Sequence, residues 1–412
     1  MLEFFYDSPT RLKRLRLGLL ASHIEAFAAH LRQRGYTRHS GRALLTHVAA
    51  FSYFASVRGV TDPGRIDDAL VFRFVTDALT VHGRDNAMAH LLAFLRERGV
   101  IPALVAPPSK PDPFASVLRR YDAHLRQVRG LAPVTCETYQ RSARGFLTFH
   151  VRRHGQLALE KVTGAEVLDY VTDSLVLHQS PAWRRHLCSE SRGFLRFLHA
   201  EGLLAQDLAR VVPRTTRRRL DQIPRHLPWE QVEQLIASVD LTHPSGRRDR
   251  AVLLLIATLG LRNKEVRCLT LKDVRWRDGA IHLPWTKAAR ARVVPLPKEV
   301  GEALADYVLH ERPALAVPEL FLRHKAPPGP LTTSGAVAGI VRRQLARAGI
   351  ASAHRGAHLL RHSLATRLVN VGVPIKEIAD VLGHISINTT AIYTKVDTTH
   401  LAAVALPFPE GA

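Results

Sequence analysis

Two proline-rich interruptions constrain this chain before any other feature does, because neither a helix nor a central strand runs through such a stretch. The first holds Pro102, Pro107, Pro108, Pro111 and Pro113. The second holds Pro213, Pro224 and Pro228 among Arg214, Arg217, Arg218, Arg219 and Arg225. They leave three blocks, residues 1–105, 113–207 and 229–412, the last two joined by a basic linker at 208–228. A chain of 412 residues exceeds one ordinary domain, so this division suits its length.

The first two blocks read as copies of one another. Ala29-His30-Leu31-Arg32-Gln33 recurs as Ala123-His124-Leu125-Arg126-Gln127, and Val75-Thr76-Asp77 as Val171-Thr172-Asp173. Phe94-Leu95 with Gly99 recurs as Phe197-Leu198 with Gly202. The anchors keep their order, which predicts a duplicated helical domain. Leu44, Leu45, Val48, Phe51 and Phe54 follow helical spacing in the first copy, and Tyr139, Phe146 and Phe149 do so in the second. Around the latter stand Arg141, Arg144, Arg152 and Arg153, able to meet phosphates or simply to face water.

The third block is mixed. Asp249 to Leu259 predicts a buried helix, and Ala280 to Trp285 with Ala291 to Leu296 predicts a hairpin with Lys287 in its turn region. Helices are expected over Val300 to His310 and over His358 to Val371, the second ending at Gly372. Another should start after Pro374 and end at Gly383, and Ser386 could cap a short last helix carrying Tyr393. The tail, with Leu401, Val404, Leu406 and Phe408, could pack on its own domain or on a neighbour.

A formal charge of +22 and a pI near 10.8 point to a polyanionic partner, nucleic acid first. Cys136, Cys188 and Cys268 are far apart and form no C-x-x-C pair, which leaves a zinc ribbon unsupported and fits a reducing cytoplasm. The longest mainly apolar run, Ala251 to Leu261, is far short of the ~20 residues of a membrane helix. The short apolar patch Leu17 to Ala21 is too short for a signal-peptide core.

Against this background one ordered set stands out: Arg262, Lys287, His358, Arg361, His384 and Tyr393. His358 and Arg361 are three apart on a predicted helix and point to one side. Arg262 follows the apolar helix at what should be its exposed end. Two arginine forks can hold both non-bridging oxygens of one phosphate. Preorganised cations stabilise the charge of a phosphoryl-transfer transition state without a metal ion. The tyrosine hydroxyl can attack in line to form a phosphotyrosyl intermediate, and an ammonium such as that of Lys287 can protonate the leaving oxygen.

These residues sit in motifs that resemble the tyrosine recombinase (phage integrase) family. Gly260-Leu261-Arg262-Asn263-Lys264-Glu265-Val266 is similar to its first arginine box, and Thr286-Lys287 followed by Arg292-Val293-Val294-Pro295-Leu296 to its lysine hairpin. His358-Leu359-Leu360-Arg361-His362-Ser363 is similar to its H-x-L-R-H box, and Leu382-Gly383-His384 with Tyr393 to its last histidine and nucleophile. The resemblance spans about 229–396. It implies a helical domain followed by a mostly α, α+β catalytic domain with a small antiparallel sheet; with the repeat of the first two blocks, the expected fold is two all-α, SAM-like helical domains ahead of that catalytic domain. It implies that Arg262 and Arg361 clamp the phosphate, that His358 and His384 bond it or assist proton transfer, and that Glu265 and His362 support the pocket from behind. Block 113–207 would be the core-binding clamp around DNA, with Arg141, Arg144 and the linker residues Arg217, Arg218 and Arg219 as candidate contacts. The expected partner is double-stranded DNA, with four protomers on two sites or a hetero-assembly of related recombinases. No cofactor, metal or membrane is expected. The first block has no place in the minimal family plan; Lys13, Arg14, Arg16, Arg32, Arg38 and Arg42 could let it touch DNA outside the core site.

Rival chemistries fit less well. His358 and His362 are spaced like a zinc-protease helix, but Leu359 stands where H-E-x-x-H needs a glutamate. No G-x-x-x-x-G-K-[ST] loop is present, and the basic final region offers no acidic trio for Mg²⁺. A DNA-binding protein without activity and a type IB topoisomerase-like enzyme remain alternatives. Integration, excision or transposition of a mobile element is the expected setting.

Overall fold

The computed structural model describes residues 1–76, 83–103, 112–177, 180–214, 224–284, 291–384 and 387–396. Lys287, Arg217, Arg218, Arg219, Ser386 and the tail beyond Val396 lie outside the described residues. The chain forms two compact units, one of residues 105–219 and one joining residues 1–104 with 220–412.

The first block is helical: α1 (Leu2–Phe5), α2 (Pro9–Leu15), α3 (Ala21–Gln33), α4 (Arg38–Val57), α5 (Asp68–Thr76) and α6 (Arg84–Glu97). Thr37 caps α4 by accepting the Ser40 amide at 3.3 Å. Leu44, Leu45, Val48 and Phe51 of α4 are buried, as their spacing predicts, with Phe54 packed beside them. Three arginines expected to be open to phosphate are instead paired within the block. Arg16 meets Glu3 at 2.5 Å and Glu25 at 3.3 Å, while Arg38 and Arg42 share Asp7.

The second block comprises α7 (Ala115–Ala123) continuing into one π turn (His124–Val128), α8 (Pro133–His154), α9 (Gly164–Leu177) and α10 (Pro181–Ala200). Pro133 and Pro181 open their helices, where a missing N–H costs nothing. Ala209 and Val212 pack into this core, so its buried residues run past the start of the basic segment. A buried polar clasp joins α8 to α9. The Ala158 amide donates to His150 Nε2 at 3.2 Å, and His150 Nδ1 lies 2.7 Å from Glu166, whose other oxygen is 3.2 Å from His154. These three side chains are the group among the described residues whose ligand atoms converge, and their hydrogen bonds are made with one another and the backbone.

The third block is built on α12 (Gly246–Leu259), buried on nearly every side. Around it pack α11 (Trp229–Ala237), α13 (Asn263–Cys268), α14 (Lys298–His310), α15 (Ser334–Arg347) and α16 (Ala357–Asn370). The expected hairpin is present as β2 (Ala280–Leu283) against β3 (Arg292–Pro295), with Ile281 opposite Val294. A two-residue strand, β1 (Val274–Arg275), adds an unpredicted antiparallel edge, and β4 (Leu322–Arg323) pairs with β5 (Gly329–Pro330). The chain then forms α17 (Ile375–Leu382), α18 (Ile387–Thr390) and a 3₁₀ turn (Ala391–Val396) bearing Tyr393. α16 serves two cores: Leu359 and Leu360 join the main one, while Leu364, Ala365 and Val369 form a smaller one with Ile378, Leu382 and Tyr393. The mostly helical, multi-domain architecture with small antiparallel sheets expected from the sequence is therefore present. Among the described residues no helix is long and apolar enough to cross a membrane.

Gly41 lies inside α4, where alanine would normally add about 1 kcal/mol of helix stability. A β-carbon there would fall within the ring of Phe5. Gly41→Ala is therefore expected to destabilise the protein by about 1–3 kcal/mol in urea denaturation. A more stable variant would show that Phe5 is not seated on this glycine.

Candidate active site

Two helices aim their carbonyl ends at one spot. α12 stops on Gly260 (φ +62°) and α17 on Gly383 (φ +60°), both left-handed and so suited to glycine. Helix C-termini carry partial negative charge. Arg361, on α16 and only 3% exposed, donates to the Gly260 carbonyl and, at 2.6 Å, to the Leu382 carbonyl. Arg262, between α12 and α13, donates to the Gly383 carbonyl at 2.6 Å. It was expected at an exposed helix end, but the end of α17 crosses it and leaves 18% of its side chain accessible.

The counter-charge is Glu265, 4% exposed. It accepts the Arg262 amide at 2.8 Å and the Arg262 guanidinium at 2.7 Å, and Arg292 reaches it at 3.2 Å. Burial pushes its carboxyl up, but the bonds from Arg262 and the charge of Arg292 outweigh this and hold it below the ordinary range. Arg292 was read from the sequence as part of a strand and of the lysine-hairpin motif, not as a pocket residue. It belongs to the pocket: it donates to the Val381 carbonyl at 2.6 Å, and its guanidinium lies flat on Gly383. Burial lowers the pKa of Arg361 to about 10, assisted by the neighbouring charge of Arg262.

His384 lies beside these cations, with Nδ1 2.7 Å from the Thr390 hydroxyl, a fully buried partner that the sequence did not signal. Burial, then the charges of Arg361 and Arg262, push its pKa down to about 4. At neutral pH it is therefore a neutral hydrogen-bonding group. His358 shares the His362 side of α16, with ring centroids 6.2 Å apart, but is exposed where Arg361 is buried.

Tyr393 is 1% exposed, packed in the smaller core. Its hydroxyl lies 2.6 Å from His362 Nδ1. Burial lifts its pKa to about 12. Burial also lowers that of His362 to about 4, helped by His358 and Arg361, so the imidazole is neutral at neutral pH, and in the tautomer protonated on Nε2 its Nδ1 accepts the Tyr393 hydroxyl. The structure therefore brings Arg262, Glu265, Arg361, His362, His384 and Tyr393 together, with His358 at the edge; Lys287 lies outside the described residues. In the second block Arg141 and Arg144 are exposed, and Arg144 is bound to Asp112 at 2.6 Å.

Removing the charge of Glu265 strands three arginines against helix ends. Glu265→Gln is expected to cost about 3–5 kcal/mol near neutral pH. Because the folded-state pKa is lowered, this contribution is present above the ordinary value of 4.5 and fades as pH falls below it. Denaturation curves of the two proteins should converge in acid; a constant gap across pH would assign the loss to packing.

The phage integrase family signature matches residues 225–400. The protein y4rF of Sinorhizobium fredii strain NGR234, described as an integrase/recombinase, is 44% identical over 415 residues, covering 100% of this chain and 97% of the relative. Tyrosine recombinase XerD of Xanthomonas axonopodis pv. citri is 32% identical, covering 70% of this chain and 95% of its own. Among solved structures, XerH site-specific recombinase bound to a palindromic difH substrate superposes with a TM-score of 0.56 at 21% identity, covering 77% of this chain and 94% of that one. The full-length identity to y4rF, together with this likeness of sequence and fold to XerD and XerH, places the chain in the phage integrase family of tyrosine recombinases.

Proposed function

We propose that this protein is a site-specific DNA recombinase that cuts and rejoins DNA through a 3′-phosphotyrosyl intermediate. The observation that carries the reading is the Tyr393 hydroxyl held by a neutral imidazole beside two arginines on one small pocket. The carbonyl contacts of Arg361 use two of the five N–H groups a guanidinium carries, so others can meet a phosphate. Arg262 and Arg361 would grip the non-bridging oxygens, with His358 and His384 as hydrogen-bonding neighbours. The Tyr393 oxygen attacks phosphorus, its proton passes to His362 Nδ1, and the bond to the 5′ oxygen breaks as Lys287 protonates that oxygen. Religation reverses each transfer, so no ATP is consumed. The positive charge comes from side chains, and the step as written uses no metal.

DNA would be gripped by the second block. There Arg129, Arg192 and Arg196 line a cavity of ≈ 360 Å³ with His124 and Tyr139, a basic groove of a kind that takes a phosphodiester backbone. Its three arginines were not singled out in the sequence, because only the fold gathers α8, α10 and the turn after α7. XerH, whose fold the chain shares, was solved bound to a palindromic difH substrate in a post-cleavage complex, and the Tn1549 transposon integrase in complex with a circular intermediate DNA, which supports DNA as substrate. Four protomers on two DNA sites, acting in the cytoplasm to move a mobile element, complete the reading. The integrase/recombinase description of y4rF supports that role.

Tyr393→Phe is expected to bind DNA normally and to form no covalent adduct on a suicide substrate. An adduct from the Phe variant would remove Tyr393 as nucleophile.

Wild-type adduct formation should be level with pH well above the His362 value of about 4. His362→Ala should slow it about 10²–10⁴-fold at neutral pH. The remaining rate should climb with pH toward the Tyr393 value of about 12 and recover when a more acidic fluorotyrosine replaces Tyr393. A wild-type rate in His362→Ala would move the proton acceptor elsewhere.

A further inference from the structure

Residues 1–103 and the second block repeat one another in side-chain geometry as well as in helix order. In the first block Phe27 stacks on His30 at 6.4 Å, and both meet Phe94, at 5.2 and 5.1 Å. In the second, Tyr121 stacks on His124 at 6.4 Å, and both meet Phe197, at 4.8 and 5.3 Å. A second trio also recurs. Phe51 and Phe54 contact Phe74 at 5.3 and 5.2 Å, as Phe146 and Phe149 contact Tyr170 at 5.3 and 5.5 Å. The last helices end alike: Gly99 and Gly202 are left-handed, and the next amide reaches back to Leu95 or Leu198 at 2.9 Å. The second block has one extra residue before Arg129, and the π turn His124–Val128 takes it up, as single insertions into helices do.

This pairing shows what differs. Counting back along α6 and α10 from Phe94 and Phe197, Arg192 and Arg196 correspond to Ala89 and Ala93, both exposed. Counting along α4 and α8 from Phe51 and Phe146, Tyr139 corresponds to Leu44. Of the groove's arginines only Arg129 keeps a counterpart, Arg34. The site is also differently covered. Nothing lies within 4 Å of a β-carbon built on Gly130, whereas one on Gly35 meets the Pro328 ring at 3.4 Å. Ala326 packs on the first block's core, and the charge of Arg323 acts on Tyr36, whose hydroxyl bonds His90 at 3.0 Å. Arg323, Ala326 and Pro328 all belong to the β4–β5 hairpin.

We infer that residues 1–103 are a second copy of the clamp domain whose groove has lost its arginines and, at its Gly35–Tyr36 end, has become a seat for the β4–β5 hairpin of the catalytic block, not a grip for DNA. The contrast with DNA gripping rests on the reading of the second block given above. Two sets of substitutions in the full-length chain test it. In salt titrations of duplex binding, Arg192→Ala with Arg196→Ala should flatten the log–log slope by about 1.8, at about 0.9 per phosphate contact. Ala89→Glu with Ala93→Glu should leave the slope unchanged. An equal loss from the Glu pair would overturn the seat in favour of DNA. An unchanged slope in the Arg pair would instead overturn the clamp reading of the second block. Ala326→Asp, and the milder Pro328→Gly, should speed amide exchange around residues 34–37 and 86–93 while DNA binding and adduct formation stay as in wild type. Unaltered exchange in both would show that the hairpin does not seat there.

Discussion

A single buried carboxylate makes the rest of this site feasible. Three guanidinium groups stand close together where solvent scarcely reaches, an arrangement that Coulomb repulsion and lost hydration both oppose. Glu265 supplies the only full negative charge described among them, and it is fixed by its own helix start, through the Arg262 amide. The ends of α12 and α17 add partial charge from two further directions. The pocket's shape follows from this balance, since each arginine is placed by what neutralises it. Tyr393 is then placed by apolar packing against the helix that carries Arg361.

Much of the site was legible because phosphate chemistry needs residue types that spacing can mark. A helix displays His358, Arg361 and His362 on neighbouring positions, and a glycine stop ahead of His384 was visible in the sequence. What escaped detection depends on contacts made across the chain. Arg292 stood inside the lysine-hairpin motif but was not assigned to the pocket, because β-strand alternation says nothing about the Val381 carbonyl and Gly383 that it meets. Thr390 carries no signal until α18 folds beneath His384. The two-residue strand β1 is too short for any periodicity.

The N-terminal arginines show what net charge leaves out. Net charge suggested that Arg16, Arg38 and Arg42 were available to a polyanion, yet Glu3, Asp7 and Glu25 reach them from elsewhere in the block. Composition counts charges without their partners. The repeat inferred for the first two blocks left its mark in the sequence for the opposite reason: aromatic residues are large and hard to replace in a core, so their positions persist while the surface between them changes.

The helix-end carbonyls around the arginines have a further consequence. They are main-chain atoms, and no exchange of one side chain for another deletes them. The cradle is therefore shielded from most single-codon changes to the residues that supply it. Its weak points are the two glycines that let the helices stop there. A β-carbon on Gly260 would come within 2.7 Å of Leu382, and one on Gly383 within 3.0 Å of the Arg292 guanidinium. The genetic vulnerability of the pocket thus lies partly in two residues that have no side chain and take no part in the chemistry.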